Sequence, residues 1–124
     1  MMKAIRVTTD NLLQLIEVGP PLHESIKKVL GGYLEIVHPR GLKGPYAMIV
    51  DEEGLCKELP INLVGSALYG TPAHGSPIAG DIINMREEDG YEGRDLVSLN
   101  ERDIYELTNL ITVIGNQYII IENR

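Results

Sequence analysis

Phenylalanine and tryptophan are absent from this chain, cysteine occurs once, and eleven Lys and Arg face eighteen Asp and Glu. Each shortage excludes something. The six tyrosines are the only rings available for stacking on bases. A formal charge of −7 repels a phosphate backbone, whose binding depends on Lys and Arg displacing counterions, so no direct nucleic-acid partner is expected. Cys56 cannot form an internal disulfide, which fits a reducing compartment, and it reads as a small, half-buried strand residue. No apolar run approaches the roughly 18–20 residues that cross a bilayer. The opening MMKAIRVTTD lacks the apolar segment of a secretory signal. No membrane partner and a cytoplasmic location are therefore expected. His23, His38 and His74 are scattered without zinc-ligand spacing, so neither a metal nor a cofactor is expected.

What is present is a run of short alternating elements in 124 residues, a length suited to one domain spanning 1–124. KAIRVTT (3–9) alternates apolar and polar as a half-buried strand does, and Thr9-Asp10-Asn11 reads as a turn into LLQLIEV (12–18), a partner strand with a helix as its alternative. Leu22, Ile26, Val29 and Leu30 repeat at helical spacing, and Gly31-Gly32 stops them. YLEIVHP (33–39) alternates again, and a glycine-containing loop from Arg40 to Pro45 leads to YAMIVD as its antiparallel neighbour.

Asp51-Glu52-Glu53-Gly54 then stands between YAMIVD and LCKELP, where a glycine suits a tight hairpin, so the acids are expected at a solvated tip. Asn62 is placed to cap a short helix in NLVGSALYG. GTPAHGSPIAGD (70–81) is a loop, DIINM (81–85) a strand, and REEDGYEGRD (86–95) an exposed connection. A long helix follows, with Ser98 and Glu101 at capping-box spacing and Gly115-Asn116 as its stop. QYIIIEN (117–123) closes as a strand whose hydrophobic edge favours a homodimer. The fold class expected is α+β, a mainly antiparallel sheet with two principal helices on one face.

No phosphate loop or nucleophile elbow is found; Ser66 and Ser76 with His74 lack that spacing, which points away from an enzyme. Asn62 can donate and accept at once, which suits a nucleobase edge, although capping explains it equally. Arg40, Tyr46, Tyr69 and His74 sit on or beside the glycine-containing loops, where binding residues concentrate. Glu35, an acid on a strand, either faces inward or pairs on the wet face with Arg40 or a lysine. Glu35, Arg40, Tyr46, Asn62, Tyr69 and His74 are thus the candidate ligand-binding residues.

LGGYLEIV, IVDEEGLCKELPIN, PIAGDI and DLVSLNERDI, in that order, resemble the successive motifs of a small domain-of-unknown-function family of bacteriophages, prophages and conjugative elements. The resemblance spans roughly residues 26–107 and rests on Gly31, Gly32, Glu35, Glu52, Gly54, Pro60, Asn62, Gly80, Ser98 and Leu99. Asp81 and Ile82 depart from it where relatives often carry Thr and an aromatic. The resemblance implies a mobile-element accessory protein beside modules that resist host restriction and immunity. Three functions are weighed: sequestering a nucleotide-type small molecule, inhibiting a host defence protein through the acidic segments 51–53 and 86–92, and a small phosphodiesterase using Glu35 or His74.

Overall fold

A computed structural model describes residues 1–39, 41–70, 76–91, 93–115 and 120–121. The elements run β1 (Met2–Val7), β2 (Leu12–Val18), α1 (Leu22–Leu30), β3 (Leu34–Val37), β4 (Tyr46–Asp51), α2 (Leu63–Tyr69), β5 (Ile82–Gly90), β6 (Gly93–Val97), α3 (Glu101–Gly115) and β7 (Ile120–Ile121). The strands form one sheet in the order β3-β4-β5-β1-β2-β7, with β6 paired to the far half of β5. All described pairs are antiparallel except β2 with β7. The α+β class and the antiparallel sheet stand.

Alternation along the strands builds a core on each face. Ile5, Val7, Met48, Val50 and Ile82 point to the side covered by Val64 and Leu68 of α2 and Leu107 and Ile111 of α3. Ala4, Ile16, Val18, Ile49, Ile83 and Met85 point to the other side, where Ile26 of α1 packs. The pair of helices sharing one face is therefore α2 with α3, while α1, expected beside the long helix, covers the opposite face. α1 ends where Gly31 adopts a left-handed φ of 81° and donates its N–H to Lys27 O.

Four local expectations are corrected. LCKELP is not a strand: residues 52–58 form consecutive turns. The reason is topological, because β4 is paired to β3 along one edge and to β5 along the other, leaving no edge for a third partner. Cys56 accordingly lies exposed in a turn, not half-buried in a strand. Asp51 is not at a solvated tip but buried at the end of β4. The charged stretch 86–95 is a hairpin, with Glu88 opposite Asp95, Asp89 opposite Arg94, and Gly90 opposite Gly93, which takes a φ of 123°. Residues 86–90 and 93–95 are wet on most of their surface yet strand-paired, so polarity there reports exposure and not irregularity.

The long helix is capped two residues later than expected. Asn100 and Asp103 form a reciprocal box: Asp103 N–H donates to Asn100 Oδ1 at 2.8 Å, and Asn100 N–H to Asp103 Oδ2 at 3.0 Å. Ser98 instead ties the chain to β1, its hydroxyl accepting from Lys3 N–H at 2.8 Å. Of the expected closing strand, only Ile120–Ile121 is described; it pairs with Leu12 and Leu13, and residues 117–119, 122 and 123 lie outside the described residues.

One core position breaks the apolar pattern. Asn84, fully buried between Ile5 and Met48 in neighbouring strands, has no hydrogen-bond partner for either amide atom among the described residues. A buried, unsatisfied amide costs about 1–3 kcal/mol, so Asn84→Leu, of similar volume, should raise stability by about that much in urea unfolding. A fall in stability would show that the amide has a partner in solution.

Candidate functional site

The site begins at the end of β4. Its apolar run YAMIV is buried throughout and delivers Val50 and Asp51 to the floor of a cleft of about 250 Å³. Glu35 of the edge strand β3 stands on one side, and Glu52, Leu55 and Cys56 of the turn segment on another. Tyr69, the last residue of α2, and the stretch Ser76–Ala79 complete the wall.

Asn62 holds that wall from behind. It is fully buried: its Oδ1 accepts from Gly65 N–H at 2.8 Å, capping α2, and its Nδ2 donates to Val7 O at 3.0 Å and Gly80 O at 3.1 Å. Its own N–H donates to Ile78 O at 2.8 Å, and Ile61 and Ala79 form a bridge. One amide thus fastens α2, β1 and the 78–80 stretch together. Gly54 completes the fit, since a Cβ there would lie 2.5 Å from Ala79 O.

Of the six candidate residues, the structure brings Glu35 and Tyr69 together at this cleft. Tyr46 is buried at the opposite end of β4, where Asp103 Oδ1 and Glu106 Oε2, each 3.0 Å away, share its single hydroxyl proton. Burial, then the hydrogen bonds to Asp103 and Glu106, hold this phenol above its ordinary titration range. Asn62 takes the capping role that was its alternative. Arg40 and His74 lie outside the described residues.

Sequence reasoning missed the pairing of Asp51 with Lys57, whose ammonium forms an ion pair with Asp51 Oδ2 and reaches Gly31 O at 3.4 Å. The signal was that Asp51 ends an unbroken apolar strand, which carries its carboxylate into the interior. It also missed a second cluster, in which the buried Glu87 places Oε1 2.7 Å from His38 Nε2 and 3.5 Å from Arg94 Nε, drawing the end of β3 onto the β5–β6 hairpin.

Chemically, the cleft presents acceptors. Glu35 and Glu52 are exposed carboxylates, and no Lys, Arg or His lines it among the described residues. It is suited to a ligand rich in N–H donors rather than to a bare phosphate. Among the described residues, no group of three or more His, Cys, Asp or Glu is placed to hold a metal ion, and no helix is long and apolar enough to cross a membrane.

An α+β domain with one cleft wall pinned by a buried Asn and a close-packed glycine is the class this architecture defines. The model of the family described as domain of unknown function (DUF3846) matches residues 2–112, and the chain belongs to that family. No curated protein and no solved structure matches it significantly.

Proposed function

We propose that this protein is a non-catalytic accessory protein of a phage or related mobile element, and that it sequesters a nucleotide-type small molecule in the cleft between Glu35 and Tyr69. The observation that carries the reading is the convergence of these two residues, from an edge strand and a helix end, on one cavity near the size of a nucleoside. The carboxylates of Glu35 and Glu52 accept from the amino and ring N–H groups of a base edge, and the Tyr69 ring supplies apolar surface. Phosphates stay outside, where the acids do not repel them. The mobile-element context rests on the motif resemblance, and a cytoplasmic homodimer is part of the same proposal.

Native mass spectrometry of the purified protein reads a co-purified small molecule and the oligomeric mass together. Thermal shift against nucleosides, cyclic dinucleotides and cyclic ADP-ribose isomers should show stabilisation by at least one, lost in Glu35→Gln and Tyr69→Ala. Silence across the whole panel from folded protein ends this reading.

A second reading, inhibition of a host defence protein, is favoured by the β5–β6 hairpin, which carries Tyr91 fully exposed at its tip beside the exposed acids Glu88 and Asp89. Under it, charge reversal at Glu88 and Asp89 abolishes capture of the host enzyme, while changes at Glu35 and Tyr69 leave capture intact.

A further inference from the structure

We propose that the Asp51–Lys57 ion pair is a latch that holds residues 52–59 as a strap along one side of the cleft, with Lys57 as the positioning residue that sets the cleft's width. The consequence for binding rests on reading the cleft as the ligand site; the latch itself does not.

The strap's backbone bonds mostly tie it to itself and to Asp51. Gly54 N–H donates to Asp51 O at 3.1 Å, Lys57 N–H to Glu53 O at 2.9 Å, Glu58 N–H to Leu55 O at 3.1 Å, and Leu59 N–H to Gly54 O at 3.1 Å. Glu58 is left-handed at φ 55°, an uncommon conformation for a residue with a Cβ. Glu52, Glu53, Leu55, Cys56, Lys57 and Glu58 are all exposed. Such a segment has little burial of its own to hold it in place.

Apart from Glu52 N–H, which donates to Tyr33 O at 2.9 Å at the strap's start, the Lys57 side chain supplies the tie. The Asp51 side chain is 1% exposed and that of Lys57 38%, so a buried carboxylate takes its countercharge from a strap residue. The same ammonium reaches Gly31 O, the capping carbonyl at the negative end of α1. If the ammonium is removed, the carboxylate is left buried without a countercharge, only its Oδ1 still accepting from Glu53 N–H at 2.9 Å, and the cheapest way to hydrate Oδ2 is to lift the strap.

Gly32 shows that the neighbouring chain is shaped around this pair. A Cβ at that position would lie 2.5 Å from Lys57 Nζ and 2.7 Å from Asp51 Oδ2. Unlike Gly31, Gly32 does not adopt a left-handed φ. Its lack of a side chain is explained by room for the latch, not by backbone geometry. Because Glu52, Leu55 and Cys56 line the cleft, the position of the strap is the position of that wall.

Hydrogen exchange on the whole chain, without ligand, tests the latch. In Lys57→Met, the amides of residues 57 and 59 should exchange at least about tenfold faster than in the parent, while those of Ile83 and Met85 in the central strand keep their rates. Lys57→Arg, which retains the charge, should keep the strap protected. Gly32→Ala should loosen the same amides by displacing the ammonium, and it decides the matter if Lys57→Met does not fold. Unchanged strap exchange in these variants overturns the proposal, as does loosening that spreads equally into β5. Thermal shift of the same variants with the nucleosides and cyclic nucleotides then separates the two readings: a loosened strap with no ligand response in the parent leaves the latch standing and removes the binding site.

Discussion

Asn62→Ala should destabilise the protein by about 3–5 kcal/mol, among the largest effects of any single substitution in this fold. The sum has two parts. Losing the cap of α2 costs about 1 kcal/mol, and leaving the buried acceptors of Val7 and Gly80 without a donor costs about 1–3 kcal/mol each, partly recovered by relaxation. Aspartate provides the sharper test. Asn62→Asp preserves the acceptor that binds Gly65 N–H, so a residue that only capped the helix would tolerate it well. Here the substitution puts a carboxylate against the carbonyls of Val7 and Gly80, 3.0 and 3.1 Å from the present amide nitrogen, and it should be at least as damaging as Ala. Urea unfolding at neutral pH, read as a midpoint shift with unchanged slope, makes the measurement. An Asn62→Asp variant within about 1 kcal/mol of the parent would reduce Asn62 to a cap.

That result bears on how the segments LGGYLEIV, IVDEEGLCKELPIN and PIAGDI are read. Gly32 leaves room for the Asp51–Lys57 pair, Gly54 for the carbonyl of Ala79, and Asn62 binds the carbonyl of Gly80. Residues separated along the chain are thus neighbours around one cleft wall. These segments build the wall, and Glu35, Glu52 and Tyr69 line the cleft beside it, only Tyr69 lying outside them.

Much of the fold was legible because local signals agreed with tertiary ones. YAMIVD, LLQLIEV and the helix from Leu22 to Leu30 have the observed boundaries, with Gly31 as the left-handed stop. Asn62 as the cap of α2 was legible for the same reason: a cap is a contact between near neighbours in sequence. The failures are tertiary. Nothing local says that both edges of β4 are taken, so Glu52-Glu53-Gly54 looked like a hairpin tip when it begins a strap. Nothing in REEDGYEGRD shows that its charged residues face each other across β5 and β6. Ser98 with Glu101 had box spacing, but Lys3 of the distant strand β1 claims the serine hydroxyl, and Asn100 with Asp103 makes the box. Of the candidate site, Glu35 was chosen as an acid on a strand and Tyr69 for its loop-side position, and both line the cleft. Tyr46 was chosen on the same ground and lies buried, because its register in β4 points it at α3.

The other large effect is expected at Asp103, where Tyr46 ends. This carboxylate, nearly fully buried, accepts from the Tyr46 hydroxyl at 3.0 Å and from Arg86 Nη1 at 2.9 Å with Oδ1, and closes the α3 capping box with Oδ2. One side chain therefore fixes the start of α3 to β4 and β5 together. Asp103→Ala should cost about 3–5 kcal/mol, and Asp103→Asn, which keeps an acceptor and the shape, distinctly less. The pH profile separates this network from mere packing. Tyr46 is held above its ordinary phenol value in the folded state, so the folded chain keeps a proton that the unfolded chain releases near pH 10. The associated stability is complete below that pH and is lost as pH rises through the folded phenol's higher value, giving a downward slope on the alkaline side. Tyr46→Phe should remove that slope, and Asp103→Asn should shrink it, because one carboxylate that raises the phenol has gone. An alkaline slope unchanged in both variants would mean that other groups set it, and that the phenol is not held by the acids of α3.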